Sequence, residues 1–165
     1  MVKRAFAVSL SAGDLGNETR GNVVSGIELA VAALVIREED VLLIKRGNAP
    51  SKGKWTLPGG RVLPGEPLAK AVARELHEET DLLSASVGKL LDVTEWIGTE
   101  HHFVICDFRV FVFPDQSLRA GDDADDARWV SRADLSQYLL TSGLTAWLAA
   151  HWEDGLEGEV PGRFA

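Results

Sequence analysis

Glu75, Glu78 and Glu79 stand at helical spacing inside the stretch Arg74-Glu-Leu-His-Glu-Glu-Thr80. If 67–80 is helical, the offsets i, i+3 and i+4 place three carboxylates on one face, close enough to share a cation. Pro67 starts a helix without losing a needed N–H, and Ala69, Ala71, Ala73 and Leu76 are good helix formers. Leu68, Val72 and Leu76 recur every fourth residue, with Ala69 and Ala73 beside them, so one stripe is apolar and seeks a core. The carboxylate arc borders that stripe. Like charges so crowded are costly on a bare helix, and an oxygen-rich set of this kind suits a hard divalent ion such as Mg²⁺. A solvated charged face is the plain alternative, and the flanking residues decide between the two.

Those residues run from Gly60 to Leu82. Gly60, Glu66, Arg74, Glu75, Leu76, Glu78, Glu79 and Leu82 fall at defined positions of one pattern. In words, it is Gly, five residues, Glu, seven residues, Arg-Glu, an aliphatic residue, any residue, Glu-Glu, any residue, Gly and an aliphatic residue. This stretch resembles the signature of the Nudix (MutT-like) hydrolases at every defined position but one. The exception is Asp81, where the family has Gly. That position ends the helix, where a left-handed residue is common, and Asp tolerates that conformation better than most. No expected ligand is lost by the change. Trp55-Thr-Leu-Pro-Gly-Gly60 also resembles the family's lead-in.

The chain has 165 residues, enough for one domain with a real core. A net charge of −8 argues against a nucleic-acid polymer as partner. An anionic substrate would then need metal ions and local Arg or Lys to offset repulsion. Cys106 is the single cysteine, which excludes an internal disulfide and fits a cytoplasmic setting. It reads as a small hydrophobe in a strand core. The opening Met1–Leu10 is too short and too interrupted for a signal peptide, and no stretch approaches a membrane span.

Along the chain, 1–26 reads as an N-terminal lead, 27–152 as one domain and 153–165 as a flexible tail. Leu29–Ile36 is a buried strand, Arg37–Asp40 a tight turn, and Val41–Ile44 a second strand ending at Lys45-Arg46. Ala85–Val93 is a strand with an irregularity at Gly88. His102–Phe113 is the longest strand, with Val104, Cys106, Phe108, Val110 and Val112 on one face and Asp107 and Arg109 breaking the other. Pro114–Ala127 reads as an acidic loop and Arg128–Val130 as a short strand. Ser131 with Asp134 forms a weak capping box for a helix to about Leu140, and Leu144–Trp152 is a last helix. The elements suggest an α/β sandwich. The resemblance implies the Nudix fold: an α/β/α sandwich with a mixed sheet and a central loop-helix-loop box.

The resemblance further implies hydrolysis of a nucleoside diphosphate linked to another group, by water attack on phosphorus, with Mg²⁺ or Mn²⁺. It makes Glu75, Glu78 and Glu79 the metal carboxylates, Gly60 a backbone contributor at the metal, Arg74 an orienting ion-pair partner, and Glu66 a residue that orders the loop. The base is either a box glutamate or a loop acid, Asp122 or Asp123. Asp125 and Asp126 instead anchor that loop near Arg128. Arg46 and Arg61 are candidates for phosphate, and Trp96 and His101 for stacking on a base, while Phe103 reads as core. A softer resemblance to the small bacterial ADP-ribose pyrophosphatase-like branch implies an ADP-ribose-like substrate. Rivals are a triphosphate pyrophosphatase of the 8-oxo-dGTP-cleaning type and a non-catalytic nucleotide sensor. Expected partners are a small-molecule nucleotide and a second copy of the chain as homodimer, with no membrane.

Overall fold

A computed structural model describes residues 26–49, 51–99, 101–113, 116–121 and 124–156. Residues 1–25 of the expected lead over 1–26, residues 157–165 of the expected tail and the candidate bases Asp122 and Asp123 lie outside them. Strand β1 (Ile27–Leu34) runs into a two-residue β2 (Ile36–Arg37), and a turn at Glu38-Glu39 leads to β3 (Asp40–Arg46). Short β4 (Trp55–Thr56) and β5 (Gly59–Arg61) precede helix α1 (Leu68–Thr80). Then come β6 (Ala85–Ile97), β7 (His102–Val112), β8 (Ala124–Ser131) and helix α2 (Leu144–Leu156).

One sheet is mixed, in the order β5-β1-β7-β6; β1 and β7 are parallel and the other two pairs antiparallel. The second is antiparallel, with β3 pairing β2, β4 and β8. Alternate residues of β1 feed two cores. Val31 and Ala33 pack with Cys106 and Val110 against Ala71, Val72 and Leu76 of α1. Leu34 packs with Leu43, Trp55, Leu148 and Trp152 on the α2 side. The expected α/β/α arrangement follows from this period of two.

Several elements differ from their sequence reading. In α1 the buried line is Ala71, Val72, Leu76 and Glu79, whereas Ala69 is exposed. Steps of three and four from Leu68 lead through 71, 72, 75, 76 and 79, so Glu75 and Glu79 continue the apolar stripe instead of bordering it. β6 runs past Val93 to Ile97, because β7 offers it pairing groups that far, with register shifts between Val87, Leu90 and Asp92. β8 takes in the end of the acidic loop, since β3 pairs it from Ser131 back to Ala124. After Ser131 the chain makes only a 3-10 helix, Arg132–Gln137. Ser131 Oγ accepts from the Ala133 N–H, but Asp134 takes the Gln137 amide instead of reaching back. Helix cannot continue to Leu140, because residues 139–141 are hydrogen-bonded to Trp55 on either side. α2 extends four residues beyond Trp152, into the expected tail, and Gly155 packs on Ile36 and Leu34.

The second face of β7 is also buried. Asp107 and Arg109 are each about 5% exposed. Asp107 accepts the Thr94 hydroxyl at 3.1 Å, and the Arg109 guanidinium lies 4.1 Å over the Phe111 ring. Burial pushes the Asp107 carboxyl up to about 7, against the pull of the Thr94 bond and with a smaller push from Asp92.

Candidate active site

The site is built where β5 meets α1. Glu66 closes the loop into the helix: its carboxylate accepts the Leu63 N–H at 3.0 Å and two bonds from Arg74, at 2.8 and 2.9 Å. Arg74, first among its partners, and the Leu63 amide hold Glu66 down at about 2. Arg74 in turn is held charged, by Glu66 above all. Its Nη1 reaches Glu75 at 2.7 Å and Glu78 at 2.9 Å, and its Nη2 donates to the Arg61 carbonyl at 3.0 Å. One guanidinium therefore ties loop, strand and helix into a single unit. Burial raises the Glu75 carboxyl, and Arg74 opposes that shift.

Gly60 makes room for this. A Cβ there would lie 2.5 Å from a Glu75 carboxylate oxygen, so only the bare backbone lets Glu75 rest against β5. Glu79, buried, accepts the Gly59 N–H at 2.8 Å and pins the neighbouring residue of the strand. Glu75 and Glu78 share Arg74, while Glu79 turns to β5. Among the described residues no three His, Cys, Asp or Glu side chains converge at metal-binding distance.

The end of α1 is closed from above. Asp81 is left-handed (φ 59°, ψ 15°), as its place in the pattern predicts, and its N–H returns to the His77 carbonyl. The Arg119 and Gly121 N–H groups then bond the Thr80 and Glu79 carbonyls at 3.1 and 3.0 Å. These contacts satisfy groups a helix end leaves open and bring the chain on entry to 122–123 against the carboxylate helix. Asp126 bonds Arg128, as expected for a loop anchor.

A second cluster forms at the open end of the mixed sheet. Arg61 and His101 both bond Glu28, and His101 stacks on Phe103 at 5.6 Å. Trp96 lies 5.9 Å from Phe103, and Arg61 covers the same ring at 5.2 Å. Phe103, expected in the core, is half-buried in this surface group and belongs to neither core. Arg61, Trp96 and His101 are therefore brought together. Arg46 stands apart from them, across the β3–β8 bulge from Ala124. Glu28 and Gly59 have no individual role in the sequence reading. Glu28 merely precedes an apolar run, and its role depends on the parallel register of β1 with β7, which local pattern does not encode.

The chain is similar to several known proteins. Over 103 residues the chain is 39% identical to the ADP-ribose pyrophosphatase of Methanocaldococcus jannaschii, covering 61% of this chain and 60% of that protein. A putative 8-oxo-dGTP diphosphatase of Bacillus subtilis is 32% identical over 111 residues, covering 65% of this chain and 68% of the other. The crystal structure of a MutT NUDIX hydrolase from Burkholderia pseudomallei superposes with a TM-score of 0.65 at 30% identity, covering 76% of this chain and 98% of that one. The model of the NUDIX domain matches residues 26–150. With its defining helix, glycine and carboxylates assembled on that fold, the chain belongs to the Nudix family.

Proposed function

We propose that the domain over 27–152, with the helix end to Leu156, hydrolyses the diphosphate of a nucleoside diphosphate linked to a second group of the ADP-ribose kind, by water attack on phosphorus. One observation carries this reading: Glu75 and Glu78 hold a single cationic group between them, against the bare backbone of Gly60. Enzymes of this family generally use divalent metal ions. The donor set fits one, being anionic oxygens beside a backbone with no Cβ. Glu75, Glu78 and Glu79, with the Gly60 backbone, would hold Mg²⁺ or Mn²⁺. When bound, such an ion neutralises phosphate charge, positions the diphosphate and activates water.

The chain's own groups do the rest. Arg74, locked by Glu66, keeps helix and strand in register, so that the carboxylates are preorganised. Arg46 and Arg61 bind phosphate oxygens, and Trp96 and His101 take the flat part of the substrate. Asp122 or Asp123 removes the proton of the attacking water, a reading supported by the hydrogen bond from the neighbouring Gly121 N–H to the Glu79 carbonyl. The partner is a small-molecule nucleotide, and a homodimer working in the cytoplasm is consistent with it. No helix among the described residues is long and apolar enough to cross a membrane.

The Bacillus relative, covered over 68% of its length, favours a second reading as a triphosphate pyrophosphatase. A panel of ADP-ribose, dinucleotides, nucleotide sugars and triphosphates, with Mg²⁺ and with Mn²⁺, separates the two. AMP with ribose phosphate is the expected product. A monophosphate with pyrophosphate from triphosphates alone favours the second reading, and no metal-dependent turnover at all favours a sensor.

A further inference from the structure

Helix α1 ends where two of its carboxylates stand. Glu78 and Glu79 leave its last turn, and the carbonyls of a last turn have no partner within their helix. Here two of them find partners far along the chain. The Gly121 N–H bonds the Glu79 carbonyl at 3.0 Å, and the Arg119 N–H bonds the Thr80 carbonyl at 3.1 Å. Residues 116–121 thus lie as a strap across the turn that carries Glu78 and Glu79.

The strap is fixed on both sides. The Gln116 side chain closes a pair of hydrogen bonds with Ser84, from its N–H and to its carbonyl, both at 2.7 Å. Leu118 packs on the core under α1. The Gly121 carbonyl accepts from the N–H of buried Ala124, where β8 begins. The helix end is fixed as well, since Thr80 and Leu82 are buried.

Between these two fixed pieces stands Gly121, with no side chain. A Cβ there would fall on the Glu78 carbonyl oxygen, 2.8 Å from the Glu78 carbonyl carbon and 3.4 Å from that of Glu79. All of these atoms are backbone, so no rotamer change makes room. The φ of Gly121 lies outside the left-handed region, so what this glycine supplies is space. A methyl at this position must displace either the strap or the turn. Glu79 reaches the Gly59 N–H at 2.8 Å and Glu78 reaches Arg74 at 2.9 Å, so a displaced turn redirects both carboxylates.

We infer that Gly121 is a positioning residue for the metal carboxylates: its bare backbone lets the strap close on α1 and fixes the directions in which Glu78 and Glu79 present oxygen to a divalent ion. Gly121 itself touches neither ion nor substrate. The inference rests on the assignment of Glu75, Glu78 and Glu79 to a metal and deepens it.

Binding of Mn²⁺ to the protein without nucleotide, read by titration calorimetry, tests it. Wild type, Gly121→Ala and Gly155→Ala are compared, together with the melting of each. Gly155→Ala is the control: a Cβ there would also collide, but with side chains of Ile36 and Leu34 on the α2 side. Loss of a group that orients metal ligands costs about 10–100-fold in metal affinity, so Gly121→Ala should weaken Mn²⁺ by about tenfold or more. The Mn²⁺ concentration for half-maximal ADP-ribose hydrolysis should rise by the same factor, with KM for ADP-ribose at saturating Mn²⁺ little changed. Gly155→Ala should melt lower and keep the wild-type affinity for Mn²⁺. Unchanged affinity in Gly121→Ala, or equal weakening in both variants, overturns the inference while the metal assignment stands. If Gly121→Ala does not fold, Arg119→Pro takes its place. It removes the strap N–H bonded to Thr80 and should weaken Mn²⁺ likewise; wild-type affinity there overturns the inference. A wild type that binds no Mn²⁺ removes the metal assignment, and the inference with it.

Discussion

At the scale of single residues, the site is one of shared charge. Arg74 engages three carboxylates and a carbonyl, so removing one partner leaves the others in place. Glu78 is the most exposed of its acidic partners, at 49%, and contributes little to packing. Glu78→Gln keeps shape and removes a charge. Turnover should fall by ~10²-fold or more, the effect of losing a few kcal/mol of transition-state stabilisation, with melting little changed. Near-normal kcat in this variant and in Glu79→Gln would remove the metal assignment.

Asp107 is the other costly residue, far from solvent and next to the charge of Asp92, which itself accepts from Trp147 and faces His151. Its folded value of about 7 lies above the ordinary 3.8. From about pH 4 to 7 the unfolded chain therefore binds fewer protons at this group, and stability falls as pH rises, levelling off above 7. Asp107→Asn should remove that slope and stabilise the fold at pH 8 by ~1–3 kcal/mol, the scale of a shift of this size after relaxation. Denaturant melts at pH 5 and pH 8 decide it; an unchanged slope would mean that Asp107 is ionised throughout.

At the scale of elements, α1 was the most legible part of the chain. Its left-handed end and the burial of Val72 and Leu76 are local and observed, whereas Pro67 stands just before the helix as its extended N-cap residue and Ala69 is exposed. The left-handed Asp81 also gives a test. It is exposed, and Gly adopts its φ of 59° without strain. Asp81→Gly should raise stability by a few tenths to ~1 kcal/mol, with activity unchanged. A lower melting point would reveal a native contact of the Asp81 carboxylate. The strands were read less well at their ends. β6 and β8 are longer than their hydrophobic patterns, because pairing partners distant in sequence extend them. The segment after Ser131 was read too long for the same reason: hydrogen bonds to Trp55 compete with helical ones.

At the scale of the whole molecule, the core on the α2 side leans on the last helix more than its composition suggests. Trp152 is fully buried, and beyond it Gly155 fits against Leu34 and Ile36, while Asp154 bonds Lys89 on β6. A chain ending at Trp152 should therefore be less stable than one ending at Leu156, by roughly 1–2 kcal/mol, the usual scale for lost packing. Equal denaturation midpoints would put the true domain edge at Trp152.

What the sequence determined by itself is which helix forms, where it ends, and that Glu75, Glu78 and Glu79 stand on it at offsets of three and four. These depend on offsets of three, four and a few residues, where backbone geometry alone sets distance. Tertiary structure decided the rest. It turned Glu79 toward Gly59, lent Glu78 to Arg74, and buried Asp107. It also set Glu28 beside Phe103 and Trp96 through a parallel pairing across some seventy-five positions of chain (Glu28↔Phe103). Such contacts follow from which strands meet and in what register, a property of the packed molecule that no local pattern of residues carries.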